Sequence, residues 1–88
     1  FSYTLSKAGL WTATRTLAQA LAPRVRVNAI GPGPVLQSIH QTDADFAAEV
    51  QSTLLKRGPS TAEIAAAVRF ILEAPAMTGQ MIALDGGQ

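Results

Sequence analysis

The chain has 88 residues, of which 48% are hydrophobic, so it has enough apolar material for one core and little for a second. Seven basic residues, scattered along the chain, balance six acidic ones, which argues against a nucleic-acid partner, and the absence of cysteine excludes disulfides and thiolate metal sites. No apolar run approaches the roughly 18 residues of a membrane span, and no signal-peptide pattern opens the sequence, so we expect a soluble, cytoplasmic protein.

The first half of the chain predicts a helix, a strand and a turn. Apolar residues recur at three- and four-residue intervals from Leu5 to Leu21, which predicts a helix that Pro23 ends. β-branched residues alternate over residues 24–30 and predict a short strand. Two glycines and two prolines follow within four residues, so residues 31–34 are predicted to form a specialised turn without regular structure.

Two helices are predicted in the second half of the chain. Apolar residues on one face, behind a Thr–Asp start, predict a short helix over residues 42–55. Ser60 and Glu63 match the S-x-x-E capping box, which predicts a helix over residues 61–73. The buried stripe of that helix is expected to consist of Ile64, Val68, Ile71 and Leu72.

The C-terminal segment completes a pattern typical of α/β proteins. Residues 81–85 form a short apolar run, which predicts a strand buried on both faces, as parallel strands are. A strand, a long helical connection and another buried strand favour a right-handed parallel crossover. Two strands do not make an independent doubly wound sheet, and the first helix has no preceding strand to pack against. We therefore expect the chain to be a C-terminal fragment of a larger domain.

Tyr3 and Lys7 stand four residues apart near the start of the first predicted helix. That spacing puts both side chains on one face, one turn apart. A nearby ammonium favours the phenolate and lowers the pKa of a tyrosine, which can then exchange a proton with a substrate hydroxyl or carbonyl. From the pair alone, a packed tyrosine and a solvated lysine remain the commoner interpretation.

The glycine–proline turn that follows the first predicted strand suits a ligand site. A dinucleotide lies across the carboxyl ends of parallel strands, and this loop leaves its strand at that edge. Gly31 and Gly33 would let the backbone approach a ligand without a Cβ in the way, and the neighbouring prolines would stiffen it. A tight turn without a ligand remains the alternative, because such turns are common.

Four motifs, in this order, resemble the C-terminal part of the short-chain dehydrogenase/reductase family. They are YTLSKAGL, a helix ending in ALAPRVRVNAIGPGPV, the STAEIA helix start and TGQMIALDGG. The resemblance covers residues 1–88 and implies part of a doubly wound, Rossmann-type α/β domain in the order helix-strand-helix-helix-strand. It implies hydride transfer between NADP or NAD and a carbonyl/alcohol substrate, in a homo-oligomer. The G-P-G-P variant resembles pteridine reductase-like members, whose substrates are planar, polar heterocycles.

The resemblance also implies roles for individual residues. Tyr3 matches the proton donor or acceptor, and Lys7 matches the residue that lowers its pKa and hydrogen-bonds the nicotinamide ribose, so both are expected to be catalytic and to contact the cofactor. Backbone groups of the glycine–proline segment border the nicotinamide, and Gln37 stands where many members carry a cofactor-contacting threonine. The other cofactor-binding residues are expected to be Pro32, Gly33, Pro34, Val35 and Gln37.

Further expectations concern the lid, the subunit contact and completeness. Residues 36–57 match a substrate-covering loop and helix, and Asp85 belongs to a D-G-G turn taken as structural. The family's phosphate-binding glycine turn and the Asn and Ser of its catalytic set are not among these 88 residues, which by themselves are expected neither to hold a dinucleotide firmly nor to turn over a substrate. A non-catalytic dinucleotide-binding or structural relative therefore stays open. The helix face expected in a dimer contact comprises Ala8, Ala13, Leu17 and Ala18.

Overall fold

The computed structural model describes residues 2–33 and 41–87, with residues 2–4 as backbone. In these ranges the elements are α1 (Ser2–Leu21), β1 (Ala29–Pro32), α2 (Asp43–Gln51), α3 (Thr61–Leu72) and β2 (Met81–Leu84). The two strands pair in parallel, with Ala29 opposite Met81 and Pro32 opposite Leu84. The expected α/β class, the order of the elements and the parallel pairing are confirmed.

Helix α1 lies against β1 and buries a narrow stripe of small side chains. Thr14 and Ala18, four residues apart, are buried, and the Thr14 hydroxyl donates to the Leu10 carbonyl at 2.7 Å. A Cβ on Gly79 would lie 3.5 Å from the Ala18 methyl group, which is ordinary van der Waals contact. The expectation that Ala18 faces a second subunit is therefore wrong, because the turn before β2 covers it.

Strand β1 is displaced from its predicted position. It spans Ala29–Pro32, and residues 24–28 lie outside it, so the prediction of a strand at residues 24–30 and of a turn from residue 31 is wrong in both bounds. Gly31 is buried and pairs with Ala83 inside the ladder, and a Cβ there would make ordinary van der Waals contact with the Met81 side chain at 3.5 Å. Pro32 ends the strand and is exposed, and a strand end tolerates the missing N–H of proline.

The chain before β1 is held largely by side-chain hydrogen bonds in place of a strand ladder. The Val27 N–H donates to the Thr78 hydroxyl oxygen at 3.1 Å, and the Asn28 side-chain oxygen accepts from the Gln80 N–H at 3.2 Å. The Asn28 amide nitrogen donates in turn to the Met77 carbonyl at 3.0 Å. The Gly79 N–H adds one main-chain bond, to the Val27 carbonyl at 2.8 Å, and regular strand pairing begins at Ala29.

Both helices between the strands begin with a capping box. In α3 the Ser60 hydroxyl accepts from the Glu63 N–H at 3.1 Å while the Glu63 carboxylate accepts from the Ser60 N–H at 2.8 Å, which confirms the predicted start. Thr42 and Asp45 make the equivalent pair at the start of α2. The α2 capping box uses an aspartate, whose shorter side chain reaches the Thr42 N–H at 3.3 Å.

The predicted burial of α3 and β2 is wrong for these described residues. No residue of α3 is buried, and in the predicted stripe Val68 is 43% and Leu72 is 70% exposed. Strand β2 has one exposed and three half-buried residues, so neither of its faces is fully covered. Large apolar side chains of α1 and α3, among them Trp11, Phe70 and Leu72, are not covered by the described residues. No helix within the described ranges combines the length and the hydropathy that a membrane span requires.

Arg26 joins the segment before β1 to the end of α3. Its Nη1 atom donates to the carbonyl oxygens of Ile71, Ala74 and Met77 at 3.0–3.1 Å. These carbonyls lie at and beyond the last turn of α3, where the intrahelical donors run out. A cation at the negative end of a helix is favourable, so Arg26 both satisfies the carbonyls and holds α3 against the sheet.

Candidate functional site

Helix α1 places Tyr3 and Lys7 one turn apart. Both lie in the helix that spans Ser2–Leu21, so the four-residue offset puts them on the same face, as the spacing predicts. The Tyr3 side chain lies outside the described part of the chain. The contact between its phenol and the Lys7 ammonium therefore stays a prediction.

The Lys7 ammonium meets Asp85, which is 78 residues further along the chain. The Nζ–Oδ2 distance is 3.5 Å, and the side chains are 33% and 7% exposed, respectively. This distance is within ion-pair range and longer than a strong N–H···O hydrogen bond. The sequence predicts that Asp85 is part of a structural turn and does not connect it with Lys7. The available signal was its position at the end of a predicted parallel strand, because ligand sites lie at the carboxyl ends of such strands.

Asp85 is held in place by its own turn. The Gly87 N–H donates to Asp85 Oδ1 at 3.0 Å, which closes a loop of three residues after β2. Gly86 and Gly87 have φ values of +68° and +84°, a conformation that residues with a side chain rarely adopt. The D-G-G sequence thus directs the Asp85 carboxylate back toward α1.

Gly33 also lies against Asp85. Its N–H donates to the Leu84 carbonyl at 3.3 Å, and a Cβ on Gly33 would come within 2.8 Å of the Asp85 Cα and carbonyl oxygen. Close packing by Asp85 is thus a sufficient reason for glycine at this position, and the expected approach to a ligand stays a prediction. Lys7, Gly33 and Asp85 therefore come together at the carboxyl ends of β1 and β2.

The other predicted cofactor-binding residues divide into two groups. Pro32 is the last residue of β1, directly before Gly33, and lies at the same strand end. Pro34, Val35 and Gln37 lie outside the described residues, so their expected contacts stay predictions. The described part of the site consists of one cation on α1, one buried carboxylate after β2 and the backbone at the end of β1.

The described part of the predicted lid is attached to the D-G-G turn. After α2, the N–H groups of Leu54 and Leu55 donate to the carbonyl oxygens of Gly87 and Gly86 at 3.3 and 2.8 Å. Thr53 between them and the helix is fully buried, and its hydroxyl donates to the Val50 carbonyl at 2.8 Å. These bonds end α2 at Gln51, four residues before the predicted end. No pattern in the sequence predicted these hydrogen bonds between the segment after α2 and the D-G-G turn.

A surface ion pair between Arg57 and Glu63 lies at the start of α3. Arg57 Nη2 is 2.7 Å from Glu63 Oε2, and Arg57 Nη1 donates to Glu63 Oε1 at 3.0 Å. The hydrogen bond from Arg57, followed by that from the Ser60 backbone, lowers the pKa of Glu63 to about 2. The same pairing raises the pKa of Arg57. Both groups are exposed, so the pair orients the capping box of α3 and contributes little stability.

The fold and this geometry define a class of protein. Two parallel strands are joined by helices, and in open α/β sheets ligands bind outside the carboxyl ends of such strands. A partly exposed cation and a buried carboxylate meet at that edge here. The arrangement is that of a Rossmann-type α/β domain with a polar site at its strand ends.

Sequence comparison identifies the family. Residues 2–88 match the model of the family described as Enoyl-(Acyl carrier protein) reductase. The chain belongs to the short-chain dehydrogenase/reductase family, as the four motifs predicted. Its relatives include pterin reductases, in agreement with the pteridine reductase-like features of the glycine–proline segment.

Three similar proteins illustrate the relationship. The chain is 43% identical over 86 residues to carbonyl reductase family member 4 of Danio rerio, with 97% of this chain covered. It is 36% identical over 88 residues to dihydromonapterin reductase of Escherichia coli, with 99% covered. The crystal structure of FolM Alternative dihydrofolate reductase 1 from Brucella suis in complex with NADP shares 60% identity and a TM-score of 0.86 over 100% of this chain. The chain spans 36% of the length of each of these proteins.

Proposed function

We propose that residues 1–88 form the C-terminal part of an NAD(P)-dependent oxidoreductase. The protein transfers a hydride between a nicotinamide cofactor and a carbonyl/alcohol or pterin-like C=N substrate. The observation that carries the proposal is the meeting of Lys7 with Asp85 beside Gly33, at the carboxyl ends of the paired strands. It sets the cation of the Y-x-x-x-K pair at the edge of the sheet where dinucleotides bind.

In this proposal Tyr3 and Lys7 act as a catalytic pair. The Tyr3 hydroxyl gives a proton to the substrate during reduction or takes one during oxidation. The Lys7 ammonium, one helical turn away, favours the phenolate and so lowers the pKa of Tyr3. Lys7 also donates to the cofactor's ribose hydroxyls, for which its partly exposed ammonium with three N–H donors is suited.

The described residues fit a nicotinamide dinucleotide. The Lys7 cation and the backbone of Pro32 and Gly33 stand together at the strand ends. The dinucleotide, when bound, would supply or accept the hydride. The remaining cofactor contacts are proposed at Pro32, Gly33, Pro34, Val35 and Gln37, largely through the backbone. The Brucella relative at 60% identity was crystallised with NADP, which favours NADP over NAD for this chain.

Pterins are the proposed substrate class. One relative is named for dihydromonapterin and a second for dihydrofolate, and both molecules contain a reducible C=N bond in a planar, polar ring. Residues 36–57 are proposed to cover the substrate. In the described part of this range, the segment after α2 is hydrogen-bonded to the D-G-G turn that carries Asp85. The same turn therefore supports both the proposed substrate-covering segment and the proposed cofactor site.

We further propose a cytoplasmic homo-oligomer. The exposed side chains of Leu10 and Leu17, seven residues apart on one face of α1, form an apolar surface that a second subunit can cover. Light scattering of the intact protein in solution tests this assembly. A monomer at micromolar concentration would contradict it.

The catalytic proposal is tested by replacing Tyr3 in the intact protein. Tyr3→Phe should lower the rate of NADPH-dependent reduction by about 100- to 10,000-fold and leave the dissociation constant of NADPH nearly unchanged. Lys7→Met should impair both rate and binding. Thr12→Val, which removes an exposed hydroxyl elsewhere on α1, is the matched control and should retain the activity of the unmodified protein.

The assay compares dihydromonapterin, dihydrofolate and a simple ketone with NADPH and NADH. Retained turnover in Tyr3→Phe would remove this residue from the mechanism. An intact protein that binds NADPH and reduces none of the substrates would instead be a non-catalytic dinucleotide-binding relative.

A further inference from the structure

We infer that Asp85 is a positioning residue that holds the Lys7 ammonium at the carboxyl ends of the strands. The inference rests on the proposed function, because it adds a supporting residue to the same site. Asp85 does not act on the substrate in this scheme. It acts through Lys7, which the proposal places against the cofactor.

The two oxygens of the Asp85 carboxylate serve different partners. Oδ1 accepts the Gly87 N–H at 3.0 Å, and Oδ2 lies 3.5 Å from the Lys7 ammonium. Asp85 is only 6% exposed, and a carboxylate removed from water to this degree requires hydrogen bonds and a countercharge. Oδ1 therefore fixes the carboxylate to its own turn, and Oδ2 presents its charge to α1.

The backbone of Asp85 is more firmly placed than the lysine it contacts. It follows β2 directly and packs against Gly33 so closely that no Cβ fits between them. Lys7 carries its charge on a flexible four-carbon stem, which loses entropy when it is fixed. The rigid partner therefore determines where the mobile ammonium lies. A contact of 3.5 Å does this through charge and leaves the other two N–H donors for the cofactor and Tyr3.

Asp85→Asn tests the role of the charge. The amide has the shape of the carboxylate and keeps an oxygen for the Gly87 N–H, while the attraction for Lys7 is lost. We expect NADPH to bind about tenfold more weakly, the effect of losing one hydrogen bond to a charged group, and kcat/KM to fall with it. Glu73→Gln makes the same change of net charge at an exposed residue after α3. It should leave NADPH binding and kcat/KM unchanged.

A double-mutant cycle separates positioning from a general structural role. If Asp85 acts through Lys7, Asp85→Asn should have no further effect on NADPH binding or kcat/KM once Lys7 is methionine. An equal loss from Asp85→Asn in both backgrounds, or no loss in either, would overturn the inference. Failure of the unmodified protein to bind NADPH would instead overturn the proposed function.

A second measurement covers the case in which Asp85→Asn does not fold. In the Lys7→Met protein the Asp85 carboxylate loses its cation, so the amide resonance of Gly87, whose N–H donates to Asp85 Oδ1, should shift in the ¹H–¹⁵N spectrum. Amides of α3 serve as the internal reference and should not move. An unchanged Gly87 resonance would mean that Lys7 and Asp85 do not interact.

Discussion

The main-chain N–H of Leu55 donates to the carbonyl oxygen of Gly86 at 2.8 Å, which ties the end of the α2 segment to the turn after β2. Asp85, the partner of Lys7, belongs to the same turn. The turn after β2 therefore supports both the described part of the proposed substrate-covering segment and the strand end where the cofactor is proposed to bind. A change at Gly86 should disturb both.

Gly86→Ala should destabilise the protein. At φ +68° an L-residue is strained, and the new Cβ would overlap the Arg57 carbonyl oxygen, so the turn would have to move. We expect the free energy of unfolding to fall by at least about 2 kcal/mol, measured by urea denaturation.

Gly9→Ala is the matched control for that substitution. A Cβ on Gly9 meets no atom of the described residues within 4 Å, and the position is inside α1. Alanine there should raise the free energy of unfolding by about 0.5–1 kcal/mol, because it favours the helix. Equal effects of the two substitutions would contradict the close contact at Gly86.

Arg26→Lys should weaken the attachment of α3. The lysine side chain is one atom shorter, so its ammonium does not reach the position from which Arg26 Nη1 contacts the carbonyl oxygens of Ile71, Ala74 and Met77. It also lacks the second nitrogen, Nη2, which lies 3.4 Å from the Leu72 carbonyl oxygen. We expect a loss of about 1–3 kcal/mol in the free energy of unfolding, since partly buried carbonyls lose their donors. Arg24→Lys, at an exposed position two residues earlier, should change it by less than about 0.5 kcal/mol.

The pKa of Glu63 should depend on Arg57. In the folded protein the pairing lowers this pKa to about 2, so its stabilising effect is present above the pKa of an unpaired glutamate and is lost as the pH falls toward 2. Arg57→Gln should raise the pKa toward the ordinary value of about 4.3, as read from the ¹³C shift of the carboxyl group. Arg69→Gln removes an equal charge from α3 and should leave the pKa of Glu63 unchanged.

The 88-residue chain alone should not bind NADPH at micromolar concentration. Its sequence contains no G-x-G-x-x-G turn, on which this class of domain holds the pyrophosphate, and Lys7 by itself supplies a single charge. Fluorescence titration with NADPH measures the affinity. A dissociation constant in the micromolar range would contradict this expectation.

Local features were predictable because they depend on neighbours in the chain. The capping box joins Ser60 to Glu63, three residues later, and this pattern alone indicates where α3 begins. Tyr3 and Lys7 are four residues apart, which alone places them one helical turn apart on the same face. The apolar run at residues 81–85 likewise indicated a strand, and the order of elements then indicated parallel pairing. The motif order sufficed to recognise the family.

The bounds of β1 and the partner of Lys7 depended on contacts between distant segments. Thr78 and Asn28 take over main-chain hydrogen bonds that would otherwise extend the strand, and those partners are about 50 residues apart. Asp85 reaches Lys7 only because the parallel register brings the end of β2 beside Gly33. Sequence spacing carries no information on such pairs, since any of several carboxylates could supply the charge. The tertiary structure selects Asp85 because this carboxylate is buried directly after β2, 3.5 Å from the Lys7 ammonium of α1.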